Sequence, residues 1–293
     1  EENTMPIKTI LVPMMGGEAD GPALNAAGNL AKRSGAHVDA VFVHRDPRAV
    51  VAPQVGEGVS ASMIEALVKS AQKEYESSRD DARTRFDTWC SEAAIEIQDR
   101  PGKATGASAA FSEMTGEPAE CVTKRGRTAD VISVTRVGDR DNSDQTAVLE
   151  AALMETGRLV LQVPPQGSVD VGKTVAIAWN GSKEASRTAA LALPVLEGVE
   201  SAVVIAGISD YLTADDVNSF VDSLAWHGVN VTARTFPLDG GSVSGRLQAE
   251  ARSAGADTIL LGAYSHSRLR ELVFGGVTAD VLDGAHMPVL MAH

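Results

Sequence analysis

The chain has 293 residues, room for one large domain or two ordinary ones, and its hydrophobic content of 44% with only 4% aromatics means a core built mainly from Ala, Val, Leu and Ile. A formal net charge of −13 excludes a phosphate backbone or an anionic membrane as the main partner, so neither nucleic acid nor a membrane surface is expected. Cys90 and Cys121 are too few for a disulfide scaffold and read as buried free thiols. No apolar run approaches the roughly 20 residues of a membrane span, and residues 1–5 lack the basic and apolar regions of a signal peptide, so the expected location is cytoplasmic.

In chain order, residues 8–13 form an apolar run followed by Gly16 and Gly17, which read as a strand and a strand–helix turn. Ala23, Ala26, Ala27, Leu30 and Ala31 then fall on one face of a helix, and residues 38–43 form a second strand. Met63, Leu67, Ala71, Tyr75, Ala82, Phe86 and Trp89 recur three, four or seven residues apart, the spacing of one long helix. Lys69, Lys73, Glu74, Arg79, Asp80 and Arg83 form its solvated face, so it is expected to pack over a sheet. Ala129-Asp130 leads into another apolar run, residues 160–163 close the first half, and residues 163–168, with two prolines and a glycine, read as a linker.

The plan then repeats. Residues 173–178 reproduce the opening strand 165 residues on, Ala185, Ala189, Ala192 and Leu193 the first helix face, and residues 202–208 the second strand. Ala256-Asp257 precedes the run 258–261, 127 residues after Ala129-Asp130, and residues 289–291 close the second half. The difference between the two offsets places 38 extra residues in the first half, where the long helix lies. Strands alternating with helices imply βαβ units and parallel pairing. The expected fold class is α/β: two tandem Rossmann-like domains, 5–165 and 172–293, each a mainly parallel sheet of about five strands flanked by helices.

The pattern that carries chemistry is Gly262-Ala263-Tyr264-Ser265, nine residues, then Gly275-Gly276-Val277-Thr278. A strand ending at Gly262 lets a ligand approach bare backbone. Gly275 and Gly276 precede a helical pattern through Val281 and Leu282, whose first N–H groups lack intrahelical acceptors and suit a phosphate. Thr278 adds a hydroxyl donor, and Arg268 or Arg270 a compensating charge. Ligands of open α/β sheets sit outside the carboxyl ends of the strands, where this loop falls.

This loop resembles the nucleotide loop of the universal stress protein family, usually written G-x2-G-x9-G-[S/T], and the opening and closing strands of both halves are similar too. The resemblance implies an adenine nucleotide α-hydrolase-like fold, adenine nucleotide binding in some members, and pairing through final strands. Ser265 stands for the motif's second glycine, and Gly276 where Ser or Thr is usual. Asn180 replaces the acidic residue that often follows the first strand, offering both a donor and an acceptor without the charge. With closing strands aligned, Gly275, Gly276 and Thr278 fall opposite Thr146, Ala147 and Leu149, while Thr135 matches Gly262 and Met15 matches Asn180. The first half is therefore expected to be a structural partner.

The six histidines (37, 44, 227, 266, 286, 293) show no metal-ligand spacing, and only His266, inside the loop, is a candidate ligand contact. Asp215-Asp216 read as the favoured start of a helix, and residues 139–144 as a solvated turn rather than a calcium loop, since no Glu closes it. No serine–histidine–acid set and no Walker lysine can be assembled, so neither a catalytic residue nor a metal site is expected. The expectation is a stress-associated sensor or regulator binding ATP or AMP, with or without Mg, through Asn180, Gly262, Ser265, His266, Arg268, Gly275, Gly276 and Thr278. A regulatory protein is a further partner, and the assembly is an internal pseudo-dimer, with a homodimer beyond it left open. Two alternatives stand: an interaction module that has lost nucleotide binding, favoured by Ser265 and Asn180, and a slow ATPase.

Overall fold

The computed structural model describes residues 6–51, 60–100, 102, 106–136, 143–166, 171–238, 240, 242–263 and 286–293. The first half runs β1 (Thr9–Met14), α1 (Asp20–Ser34), β2 (His37–His44), α2 (Pro47–Val51), α3 (Ala61–Ala93), β3 (Glu96–Ile97), β4 (Ser108–Thr115), α4 (Pro118–Gly126), β5 (Val131–Thr135), α5 (Ser143–Glu155) and β6 (Leu159–Val163). The second runs β7 (Thr174–Ala178), α6 (Lys183–Leu196), β8 (Ser201–Ile208), α7 (Ala214–Trp226), β9 (Val231–Pro237), α8 (Val243–Ser253), β10 (Thr258–Gly262) and β11 (Val289–Ala292).

The strands make one sheet in the order β3-β4-β2-β1-β5-β6-β11-β10-β7-β8-β9. Leaving out two-residue β3, each half reads inward in the same sequence: third strand, second, first, fourth, fifth. The first half thus holds the five strands expected plus one short edge strand. Every pairing among these strands is parallel except β6 with β11, which meet antiparallel with Val289 opposite Gln162, Leu290 opposite Leu161 and Met291 opposite Val160. The closing strands of the halves therefore cover each other's edges, as expected from the resemblance.

Alternation of side chains along each strand divides the core between the two faces of the sheet. Ile10, Val12 and Met14 point to the layer of α1, α3, α6 and α7, whose continuous core also holds Ala27, Phe86, Ala192 and Val217. Leu11 points to the layer of α4, α5 and α8, with Val122, Ala152 and Leu247. The stripe read along α3 exists, but only its second half is deep: Ala82, Phe86 and Trp89 are buried, whereas Met63 is 59% exposed. Cys90 and Cys121 are buried free thiols, and burial pushes Cys90 up to about 11.

The repeated Ala-Asp pair has a structural purpose. Asp130 accepts hydrogen bonds from the Lys8 and Thr9 backbone N–H groups at 2.8 and 2.9 Å. Asp257 does the same for Gly172, Lys173 and Thr174 at 2.8, 2.9 and 2.8 Å. In both halves the carboxylate before the fourth strand satisfies the orphan donors at the start of the first. Across the halves, the Arg33 guanidinium at the end of α1 donates to the carbonyls of Val171 and Gly198.

Candidate functional site

In each half the chain leaves the first strand on one side and the fourth on the other, which opens a crevice at their carboxyl ends. In the second half that crevice lies beyond β7 and β10, at Trp179, Asn180, Gly262 and Ala263. Asn180 is exposed, and its amide oxygen accepts the Ser182 N–H at 3.0 Å. Ser182 caps α6 by accepting the Ala185 N–H at 3.1 Å. Its N–H set is further engaged by Glu184, whose own backbone N–H holds its carboxyl below the usual range.

Gly262 has a packing reason beside the ligand reading. A Cβ there would stand 2.5 Å from the Ala185 nitrogen, so α6 crosses β10 where only glycine fits. The end of β11 is tied in as well: Thr188 Oγ1 donates to the Ala292 carbonyl at 3.0 Å, and Arg187 donates to His293 O at 2.9 Å. Trp179 follows β7 and stacks on Phe220 of α7, centroids 3.7 Å apart and planes within 6°. Its indole N–H is buried without a partner among the described residues, a state that ordinarily costs about 1–3 kcal/mol. The residues Ser265, His266, Arg268, Gly275, Gly276 and Thr278 lie outside the described residues; of the expected site, the fold brings Asn180 and Gly262 to the same crevice.

The matching crevice of the first half is filled by the chain itself. Thr135, opposite Gly262, donates through Oγ1 to the Ala19 carbonyl and accepts the Ala23 N–H at 3.1 Å, fastening β5 to α1. Gly16, at φ +77°, lies so close to α3 that a side chain would overlap the Ser78 carbonyl. Asp20, 5% exposed, accepts from the Met15 and Gly16 N–H groups at 3.1 and 3.0 Å. Burial nonetheless raises its pKa to about 6, against the lowering effect of those two bonds and of Arg85.

At the first turn of α5, Asp144 takes two hydrogen bonds from Arg45, at 2.5 and 2.8 Å, and Arg45 Nε reaches Glu117 at 2.9 Å. The Arg45 hydrogen bond holds the Asp144 carboxyl below its usual range. A negative side chain thus already occupies the end of α5 that favours an anion. Sequence reasoning missed Trp179, Asp20 and Arg45. Trp179 was findable, as an aromatic directly before Asn180; Arg45 was not, because its partner Asp144 is 99 residues away.

Asp215 and Asp216 do start a helix: Thr213 and Asp216 form a reciprocal capping box at α7. Of the turn at 139–144, residues 139–142 lie outside the described residues. Among the described residues no group of three His, Cys, Asp or Glu is placed to hold a metal, and no helix is long and apolar enough to cross a membrane.

The architecture defines a class, an open α/β sheet with a crevice at each reversal of strand order. Comparison narrows it. Residues 223–293 match the Universal stress protein family. A universal stress protein from Archaeoglobus fulgidus DSM 4304 superposes with a TM-score of 0.66 at 16% identity, covering 97% of this chain and 97% of its own. A functionally unknown protein from Pseudomonas aeruginosa PAO1 gives a TM-score of 0.52 at 14% identity, with 98% of this chain and 92% of its own covered. No curated protein matches. The fold is that of universal stress proteins over nearly the whole length, and the resemblance read from the glycine loop stands.

Proposed function

We propose that this chain is a stress-associated, cytoplasmic regulator that binds an adenine nucleotide, ATP or AMP, in its second half alone. The two halves, 5–165 and 172–293, are two copies of one domain, joined as an internal pseudo-dimer through β6 and β11. The observation that carries the reading is the inequality of the crevices. The first is occupied by Thr135, Ser78 of α3 and the Arg45–Asp144 pair, whereas the described part of the second keeps Gly262, exposed Asn180 and the unmet Trp179 N–H. Gly275, Gly276 and Thr278 are assigned to the phosphates, Ser265, His266 and Arg268 to the remaining contacts, with Mg an optional companion. No catalytic residue is assigned.

Calorimetry with ATP and AMP, with and without Mg, on Gly276→Leu and Ala147→Leu tests this. Filling the phosphate space at Gly276 should weaken binding about tenfold or more, and Ala147→Leu should leave it unchanged. Equal losses would assign the wrong half. An unmodified protein without binding at millimolar nucleotide leaves the interaction module, which the engaged Asn180 oxygen and the α6 packing of Gly262 favour. ATP turnover without a regulatory effect would favour the slow ATPase.

A further inference from the structure

Outside both crevices, α1 and α3 part to form a cleft of about 360 Å³, within the range of small-molecule sites. Leu24 and Trp89, both buried, line its apolar part. Arg85 of α3 lines it too, with its guanidinium over Gly21 of α1 and Asp20 close enough to act on it electrostatically. The Arg85 Nε is buried and has no hydrogen-bond partner among the described residues. That nitrogen is closed to the cleft, so a ligand meets the guanidinium at its Nη groups, one of which lies over Gly21, and these offer a carboxylate two parallel donors. Asp81 and Glu92 line the same cleft four residues before and seven after Arg85, near one face of α3. Their two negative charges repel a polyanion and attract an ammonium group.

The geometry points to a second small-molecule site between α1 and α3 that binds a free α-amino acid: carboxylate at Arg85, ammonium at Asp81 or Glu92, side chain over Leu24 and Trp89. Volume and charge agree on the ligand class, since the cleft has the size of a small-molecule site and its lining carries one cation, Arg85, and two anions, Asp81 and Glu92. The site is independent of the nucleotide reading, because it shares no residue with either crevice.

The test is calorimetry and thermal shift with each of the twenty L-amino acids, using acetate, methylammonium and inorganic phosphate as probes of the separate charges. At least one amino acid should bind with a Kd below about 10 mM, at least tenfold more tightly than any of the three partial probes. Arg85→Gln should abolish that binding and Arg85→Lys restore part of it, while Gly276→Leu leaves it intact. Circular dichroism checks that the Arg85 variants fold; should they not, the exposed Asn25→Leu in the cleft wall should weaken binding at least threefold. The proposal is overturned if no amino acid binds at that concentration, if phosphate or acetate binds as tightly as the best amino acid, or if folded Arg85→Gln binds like the parent.

Discussion

The crevice beyond β1 and β5 and the crevice beyond β7 and β10 are built by the same strand order, yet their described residues differ. In the first, a threonine, an aspartate and a long helix supply hydrogen bonds and bulk from within the chain. In the second, the equivalent of the threonine is a glycine and the strand is followed by an asparagine that stays exposed. Identical topology places the two crevices alike, and a handful of side chains makes their described walls differ. The pair offers an internal control, because a substitution in one half has its counterpart in the other.

The largest separation should come from Gly262→Val against Thr135→Val. The first drives a branched side chain into the backbone of α6 and should cost about 3 kcal/mol or more. The second removes one donor and one acceptor and should cost about 1–3 kcal/mol. Urea midpoints check this, and equal costs would remove the packing explanation of Gly262.

Acid titration comes next. Asp20 is raised in the folded chain from 3.8 to about 6, so the native state holds its proton more tightly than the unfolded one. Its contribution is therefore fully present below about pH 4 and is lost as pH rises towards 6, by an amount on the order of 3 kcal/mol. Asp144, whose native value is depressed, acts in the other direction: its contribution is present above the unfolded value and is lost as the solution is acidified below it. Asp20→Asn should flatten the stability profile between pH 4 and 6 and leave the loss at lower pH. A slope that survives in the variant would show that Asp20 is not its source.

The amino ends of the sheet should behave alike in the two halves. Asp257→Ala orphans the Lys173 and Thr174 donors, the Gly172 N–H keeping Thr258 Oγ1 at 2.8 Å, and Asp130→Ala orphans those of Lys8 and Thr9, so both should destabilise by about 2 kcal/mol. Thermal melts of the two variants check that the losses match. The smallest effect should be that of Arg45→Met, about 1 kcal/mol or less, because Arg45 and Asp144 are each about one-third exposed.

How much of this was legible depended on depth and distance along the chain. Strands β1, β2, β5, β6, β7, β8, β10 and β11 announced themselves as apolar runs because most of their residues are buried. The third strand of each half did not. β4 carries Ser, Glu and Thr among its residues and β9 carries Thr and Arg, because both lie at or near a sheet edge and are partly exposed. Long helix α3 was readable from its stripe, but its lie across Gly16 was not, since that contact joins residues 16 and 78. At the site, Gly262 and Asn180 stood out locally. Of the reasons that close the first crevice, only the Asp20 bonds to Met15 and Gly16 are local; Thr135 with Ala19, Gly16 with Ser78 and Arg45 with Asp144 are pairs far apart in sequence, which periodicity does not register.

The antiparallel seam between β6 and β11 also sets a schedule for synthesis. β6, whose five residues are all buried in the finished sheet, leaves the ribosome more than 120 residues before β11. At 5–20 residues per second that interval is on the order of ten seconds, during which an apolar strand has an open edge. The strand that closes it, with four buried residues, comes late and lands in the middle of the sheet. Translation pausing within the second half should therefore expose nascent chains to edge-to-edge aggregation, and nascent-chain solubility should rise abruptly once β11 has emerged.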